Sequence, residues 1–207
     1  MDKPNILWIT TDQQRFDTLG CYGNSFVNTP NLDQLAEKGV LFENCFSQSP
    51  VCTPSRCSFL TGRYPRTTRC RQNGQDIPED EIPVTKILKD AGYVCGLSGK
   101  LHLSACHPDA CKTSERRIDD GYTDFYWSHH PYPDEWKGYN QYQLWLKENG
   151  KKCEVRPHPD SRFVAFSPPE ELHHTTWCAN KAIDFIQARA KEESPWLFSM
   201  NLFDPHH

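Results

Sequence analysis

Asn5-Ile6-Leu7-Trp8-Ile9-Thr10 is a continuous apolar run of strand length, a pattern that predicts a strand covered on both faces. Asp12 follows its carboxyl end. Thr29 and Pro30 then supply a cap and a first-turn proline for a helix that carries Leu32, Leu35 and Ala36 on one face and ends at Gly39. A second strand is predicted from Val40 to Phe46. Thr85 to Asp90 reads as a short helix with Ile87 and Leu88 inward, Gly92 just past its end, and Tyr93 to Leu97 as the next strand. Helical spacing returns from Thr175 to Lys191 through Trp177, Ala182, Ile183 and Ile186, and Trp196 to Phe203 is the last strand. From Cys106 to roughly Pro169 the chain is rich in Pro, Tyr, Trp and His with weak periodicity, which predicts an irregular insertion near a substrate entrance.

The recurring order is strand, polar residue, helix. It implies an α/β fold with a largely parallel sheet flanked by helices. In such sheets ligands gather beyond the carboxyl ends of strands. Asp12, Cys52, Lys100, His102 and His206 all fall at those ends or in the loops that follow them.

The 207 residues can bury a real core, yet the hydrophobic fraction is 37% and the mean hydropathy −0.74, which is poor for a fold built on a large two-faced sheet. A net charge of −4, with both signs interspersed, argues against a nucleic-acid-binding face. The chain opens with Met1-Asp2-Lys3-Pro4 and enters a strand with no charged-then-apolar leader, and no run approaches membrane-spanning length. The expectation is a cytoplasmic protein with reduced thiols and no membrane partner. Ten cysteines therefore need another explanation than a disulfide framework. Cys106-His107 with Cys111, and His102 nearby, form a loose Cys/His group, but the usual Cys-x2-Cys pairs of zinc sites are absent, so buried free thiols are expected.

The chemistry concentrates in Cys52-Thr53-Pro54-Ser55-Arg56, which runs on through Cys57-Ser58-Phe59-Leu60 to Thr61-Gly62-Arg63. Proline is tolerated at the first helical position, so Pro54 can open a short helix that Gly62 closes. Cys52 and Arg56 then sit at a helix N-terminus, where free N–H groups and a forked guanidinium suit a tetrahedral oxyanion such as sulfate or phosphate. Cys57 reads as packing.

This string resembles the signature of the type I sulfatases, in which the cysteine of Cys-x-Pro-Ser-Arg is oxidised after translation to Cα-formylglycine. Leu60-Thr61-Gly62-Arg63 matches the continuation, and the similarity extends from the first strand to the last residues. The resemblance implies the alkaline-phosphatase-like fold. Because sulfatases are typically about twice as long, it implies that residues 1–207 are an N-terminal part of the catalytic domain, lacking a C-terminal part that would bring a further pair of metal ligands and a lysine.

It also implies roles. Cys52, as formylglycine hydrate, would attack sulfur with one hydroxyl and use the other to expel sulfate, an exit that an ordinary thiolate adduct lacks. Asp12 matches the first member of a metal-binding Asp-Asp pair, with Gln13 in the second place, and the modified Cys52 completes what this chain offers the ion. Oxygen ligation suggests Ca2+, or Mg2+ or Mn2+. Lys100 would contact the sulfate and the hydrate. His102 would act as base in the elimination, as a histidine near its ordinary pKa can. Arg56 would hold the anion. His206 matches the histidine of a Pro-His segment that binds sulfate and helps to protonate the leaving alcohol, so the terminal His206-His207 reads as native sequence. The expected partners are a sulfated small molecule or carbohydrate and a formylglycine-generating enzyme. Two other readings stand beside this one: a phosphonate or phosphate ester hydrolase of the same superfamily, suggested by Asp12-Gln13, and a catalytically silent fragment. His129, His130, His173, His174 and Trp177 are open to pocket or core roles, and Asp204 reads as a turn residue.

Overall fold

The computed structural model describes residues 3–107, 109–111, 113–131 and 140–206; His207 lies outside them. Four parallel strands form the central sheet: β1 (Ile6–Thr10), β2 (Val94–Gly99), β3 (Asp124–Trp127) and β6 (Trp196–Asn201), in the order β1-β6-β2-β3. β2 and β6 lie in the middle and are buried along nearly their whole length. That is why both read as unbroken runs rather than alternating ones.

Side chains alternate between two covered faces. On one, Cys95, Leu97 and Leu197 pack with Cys57 and Leu60 of α2 (Cys52–Thr61), beside the short α3 (Pro65–Thr68) and α4 (Val84–Asp90). On the other, Phe198 meets Ala182 and Phe185 of α6 (His174–Arg189), while Trp177 and Cys178 of the same helix pack on Tyr142 and Leu146 of α5 (Gln141–Glu148). α1 (Pro30–Lys38) buries no residue, and Leu32 and Leu35 are exposed. Among the described residues no helix is long and apolar enough to cross a membrane.

The expected α/β class and parallel sheet are what the structure contains, but several local expectations need correction. β1 is an edge strand, and Leu7 and Ile9 are 45% and 49% exposed, so the double cover predicted for this run is not there. Val40 to Phe46 forms no strand. Strand conformation is held by partners for its backbone groups, and no described strand pairs with this segment. The predicted irregular stretch from 106 to 169 instead contributes β3 to the main sheet, then α5, then an antiparallel hairpin of β4 (Arg156–His158) and β5 (Ser161–Phe166). Four residues of β3 are too few to print a period. Ile87 and Ile183 point outward, both about half exposed.

One glycine sets the geometry at the carboxyl end of the sheet. Gly99 ends β2 with φ +92°, and a Cβ there would lie 2.0 Å from Asn201 O. Only glycine permits this approach, which lets the Lys100 N–H reach Asn201 O at 3.0 Å and turns the chain over the end of the sheet.

Candidate active site

All the predicted residues are at the carboxyl end of the sheet. Asp12 follows β1, Cys52 and Arg56 lie on α2, Lys100 and His102 follow β2, and His206 follows β6. Helix α2 starts earlier than Pro54 suggests: Val51 is extended and Cys52 is already the first helical residue. Pro54 still sits in the first turn, where a missing N–H costs nothing, and Gly62 closes the helix in the left-handed conformation. The Thr53 N–H donates to Asn73 Oδ1 at 2.9 Å. A cap brought from twenty residues away leaves no local signal, and sequence reasoning missed Asn73.

Asp12 is the hub. Its Oδ2 accepts from Lys100 Nζ at 2.6 Å and Arg56 Nη2 at 3.1 Å, its Oδ1 faces Cys52 Sγ at 3.7 Å, and Arg56 Nη1 donates to Lys100 O at 2.6 Å. All three charged side chains are buried. Burial pushes the Asp12 carboxyl up, but Arg56 and Lys100 together outweigh it and hold the group below the usual carboxylate range. One carboxylate between two cations leaves positive charge at the base of the site, suited to an oxyanion.

In front of this triad lies an open pocket of about 1170 Å³, walled by Asp12, Gln13, Cys52, Arg56, Asn73 and His206. Asp12, Cys52 and His206 offer ligand atoms within 4.8 Å of one another. The His206 ring rests on Phe203 at 4.8 Å. Gln13 is exposed at the pocket with φ +58°. Asp12 thus presents an oxygen donor beside residue 52 and Gln13 an amide on the same pocket wall, the chemistry of a hard divalent cation. The fit is partial, because the one carboxylate is already engaged by two cations.

Lys100 and His102 are not on the pocket wall. His102 is 5% exposed, and φ is +56°. Glu115 accepts from the N–H groups of both His102 and Leu103 at 2.7 Å. Burial, with Lys100 and Arg56 adding to it, drives the imidazole pKa down to about 2. Burial and the two nearby cations thus favour the neutral imidazole. Among the undecided residues, His174 and Trp177 are core, and His173 caps α6 by accepting from the Thr175 N–H. Asp204 lies in a turn and accepts from Thr175 Oγ1 at 2.8 Å.

These histidines make acid stability predictable. His174, buried against Ser128 Oγ at 2.8 Å, is lowered to about 4 by burial, in the same direction as His102. An unfolded histidine titrates at about 6.5, so below that pH the unfolded chain binds protons the folded chain refuses. The stability is complete above about pH 6.5 and falls with each histidine contributing up to about 1.4 kcal/mol per pH unit below it. Urea unfolding at about pH 7 and pH 5 should show a lower midpoint in acid, and His174→Gln should flatten the difference. Equal midpoints would contradict the buried neutral state.

Residues 4–207 match the sulfatase family. The chain is 33% identical over 99% of its length to an ulvan-active sulfatase of Formosa agariphila, and spans 36% of that relative. Among solved structures, the yidJ protein of Bacteroides fragilis superposes with a TM-score of 0.70 at 25% identity, covering 100% of this chain and 45% of that one. A phosphonate monoester hydrolase of Agrobacterium radiobacter gives 0.71 at 25% identity, covering 99% and 42%. The chain thus spans 36–45% of the length of these proteins.

Proposed function

Because the chain belongs to the sulfatase family, we propose that it supplies the nucleophile side of a sulfate-ester hydrolase. The observation that carries this is the seating of Cys52 on the first turn of α2, 3.7 Å from an Asp12 carboxylate that is bound by both Arg56 and Lys100. Membership implies a formylglycine and a metal ion in general terms. Formylglycine supplies a hydrated aldehyde, one hydroxyl to attack and another to release the product. A divalent cation, Ca2+ being the best match to oxygen donors, would be held by Asp12, Gln13 and residue 52 and would offset anionic charge there.

This chain's own residues do the rest. The α2 N-terminus and Arg56 attract the sulfate, and its charge releases part of the hold that Arg56 and Lys100 have on Asp12. His206, which lines the pocket, would give a proton to the departing alcohol. His102, neutral and buried, backs the segment that carries Lys100 without itself changing charge. The substrate class is a sulfated small molecule or carbohydrate, and residue 52 requires a formylglycine-generating enzyme.

The phosphonate and phosphate ester reading is less favoured, since the curated relatives are named as sulfatases. A side-by-side assay of the converted protein with an aryl sulfate and a phosphonate monoester should give the higher kcat/KM for the sulfate. The reverse order would overturn the sulfatase reading. No turnover of either, in protein whose residue 52 is fully converted, would favour the silent-fragment reading, which has one observation behind it: Asp12 is the only carboxylate in the Asp12, Cys52 and His206 group.

A further inference from the structure

Glu115 is a buried carboxylate that the proposed chemistry does not use. It stands in irregular chain ahead of β3, yet both its oxygens face the turn that follows β2. Oε1 accepts from the Leu103 N–H at 2.7 Å, and Oε2 accepts from the His102 N–H at 2.7 Å, the Trp127 indole N–H at 2.8 Å and the Cys106 thiol at 3.5 Å. Every one of these partners is a donor. Burial pushes the Glu115 pKa up and the four donors pull against it, so the cradle they form is shaped for the ionised carboxylate. The backbone at His102 explains how two successive N–H groups come to face one carboxylate: its φ of +56° is left-handed, and a left-handed residue turns neighbouring amides into a single anion-holding concavity. In a residue with a side chain that conformation is strained, and it persists only where the surroundings enforce it. Glu115 is the enforcing group.

We propose that Glu115 is a positioning residue of the candidate active site, a clamp on the turn that carries Lys100. The turn is anchored at its start by the Lys100 N–H on Asn201 O at 3.0 Å and at its end by Leu103 O, which accepts from the Ile77 N–H at 2.7 Å. Glu115 holds the amides of His102 and Leu103 between those anchors. What the clamp fixes is the hub, because Lys100 Nζ reaches Asp12 Oδ2 at 2.6 Å and Lys100 O accepts from Arg56 Nη1 at 2.6 Å. A shift of the turn moves both contacts at once. An oxyanion in front of Asp12 and Arg56 therefore depends on Glu115 without touching it. The part Glu115 plays in turnover rests on the sulfatase reading, whereas its part in anion binding needs no turnover. Glu115→Gln keeps the shape and removes the charge: whichever way the new amide turns, its NH2 group meets at least one N–H, so a bond is lost and the concavity is left without its anion.

The test reads anion affinity in the 207-residue chain, with inorganic sulfate as the probe. Glu115→Gln should weaken sulfate binding about tenfold or more, the scale of a lost hydrogen bond to a charged group. A merely structural role would weaken binding whatever stands at residue 100, but a clamp that acts through Lys100 would not. In the Lys100→Met background Glu115→Gln should therefore cause little further change in sulfate affinity, although it still lowers the urea midpoint. Circular dichroism checks that each variant is folded. If Glu115→Gln is not, Trp127→Phe, which takes one donor from Oε2, replaces it in the same cycle with a smaller loss expected. In protein whose residue 52 is converted, Glu115→Gln should also lower kcat/KM for an aryl sulfate about a hundredfold, mostly in kcat. A parent that binds sulfate and shows the dependence on Lys100, yet turns over no sulfate ester, would point to the silent fragment and leave the clamp standing. Unchanged sulfate affinity in folded Glu115→Gln, equal weakening with and without Lys100, or no saturable sulfate binding by the parent would overturn the proposal.

Discussion

Cys52→Ala should lower the proposed aryl-sulfate hydrolysis by about a thousandfold or more, the scale set by removing a covalent nucleophile, while leaving the fold intact. The second half of that expectation comes from placement: Cys52 is the first residue of α2 and only partly buried, and its substitution opens no cavity in the cluster formed by Cys57 and Leu60. The same residue should carry the modification. Trypsin releases residues 39–56 as one peptide, which contains Cys45 and Cys52. After co-expression with a formylglycine-generating enzyme that peptide should retain a single alkylatable thiol, and Cys45→Ser should then leave none. Two alkylatable thiols in every copy of the peptide, or full hydrolytic activity in Cys52→Ala, would remove residue 52 from the mechanism.

Asp12→Asn should be the most destabilising change at the site. Asp12 neutralises two cations that are themselves buried, Arg56 at 4% exposure and Lys100 at 1%. Taking away its charge leaves both uncompensated, a change that costs about 3–5 kcal/mol when a buried pair is broken from one side. Arg56 retains its bond to Lys100 O, which limits the loss but does not replace the charge. Divalent-cation occupancy should fall with it, since among the described residues Asp12 is the one carboxylate in the group with Cys52 and His206. Chemical denaturation and elemental analysis of the same preparation separate the two effects. Asp12→Asn with unchanged stability would contradict the buried hub, and unchanged occupancy would exclude Asp12 as a ligand. The double substitution Asp12→Asn, Lys100→Met tests the cause, because removing one stranded cation should recover part of the lost stability.

The apolar exposure of several segments bears on handling the chain. Leu7 and Ile9 of β1, Leu35 of α1, and Phe42 and Phe46 of the segment between α1 and α2 are all exposed. β1 also presents an unpaired edge among the described strands. Exposed edges and apolar side chains of this kind favour association at high concentration.

The class of fold was legible in the residues alone, and so was the grouping of the candidate residues beyond the carboxyl ends of the strands. Alternating strand and helix patterns with polar residues after each strand point to a parallel sheet with its candidate residues at one end, and Cys52-Thr53-Pro54-Ser55-Arg56 is specific enough to point to the family. These signals are local: a run of apolar residues, a proline in a first turn, a glycine where φ must be positive. Whatever depends on neighbours distant in the chain waited for the packed fold. Packing placed His102 behind the pocket and kept it neutral, because burial and two nearby cations act on a residue whose own sequence reports neither. It brought Asn73 to the start of α2 and His129 to Cys106. It drew β3 out of a stretch without periodicity, since four residues become a strand once β2 offers them a ladder, and it left Val40 to Phe46 irregular, where no described strand does.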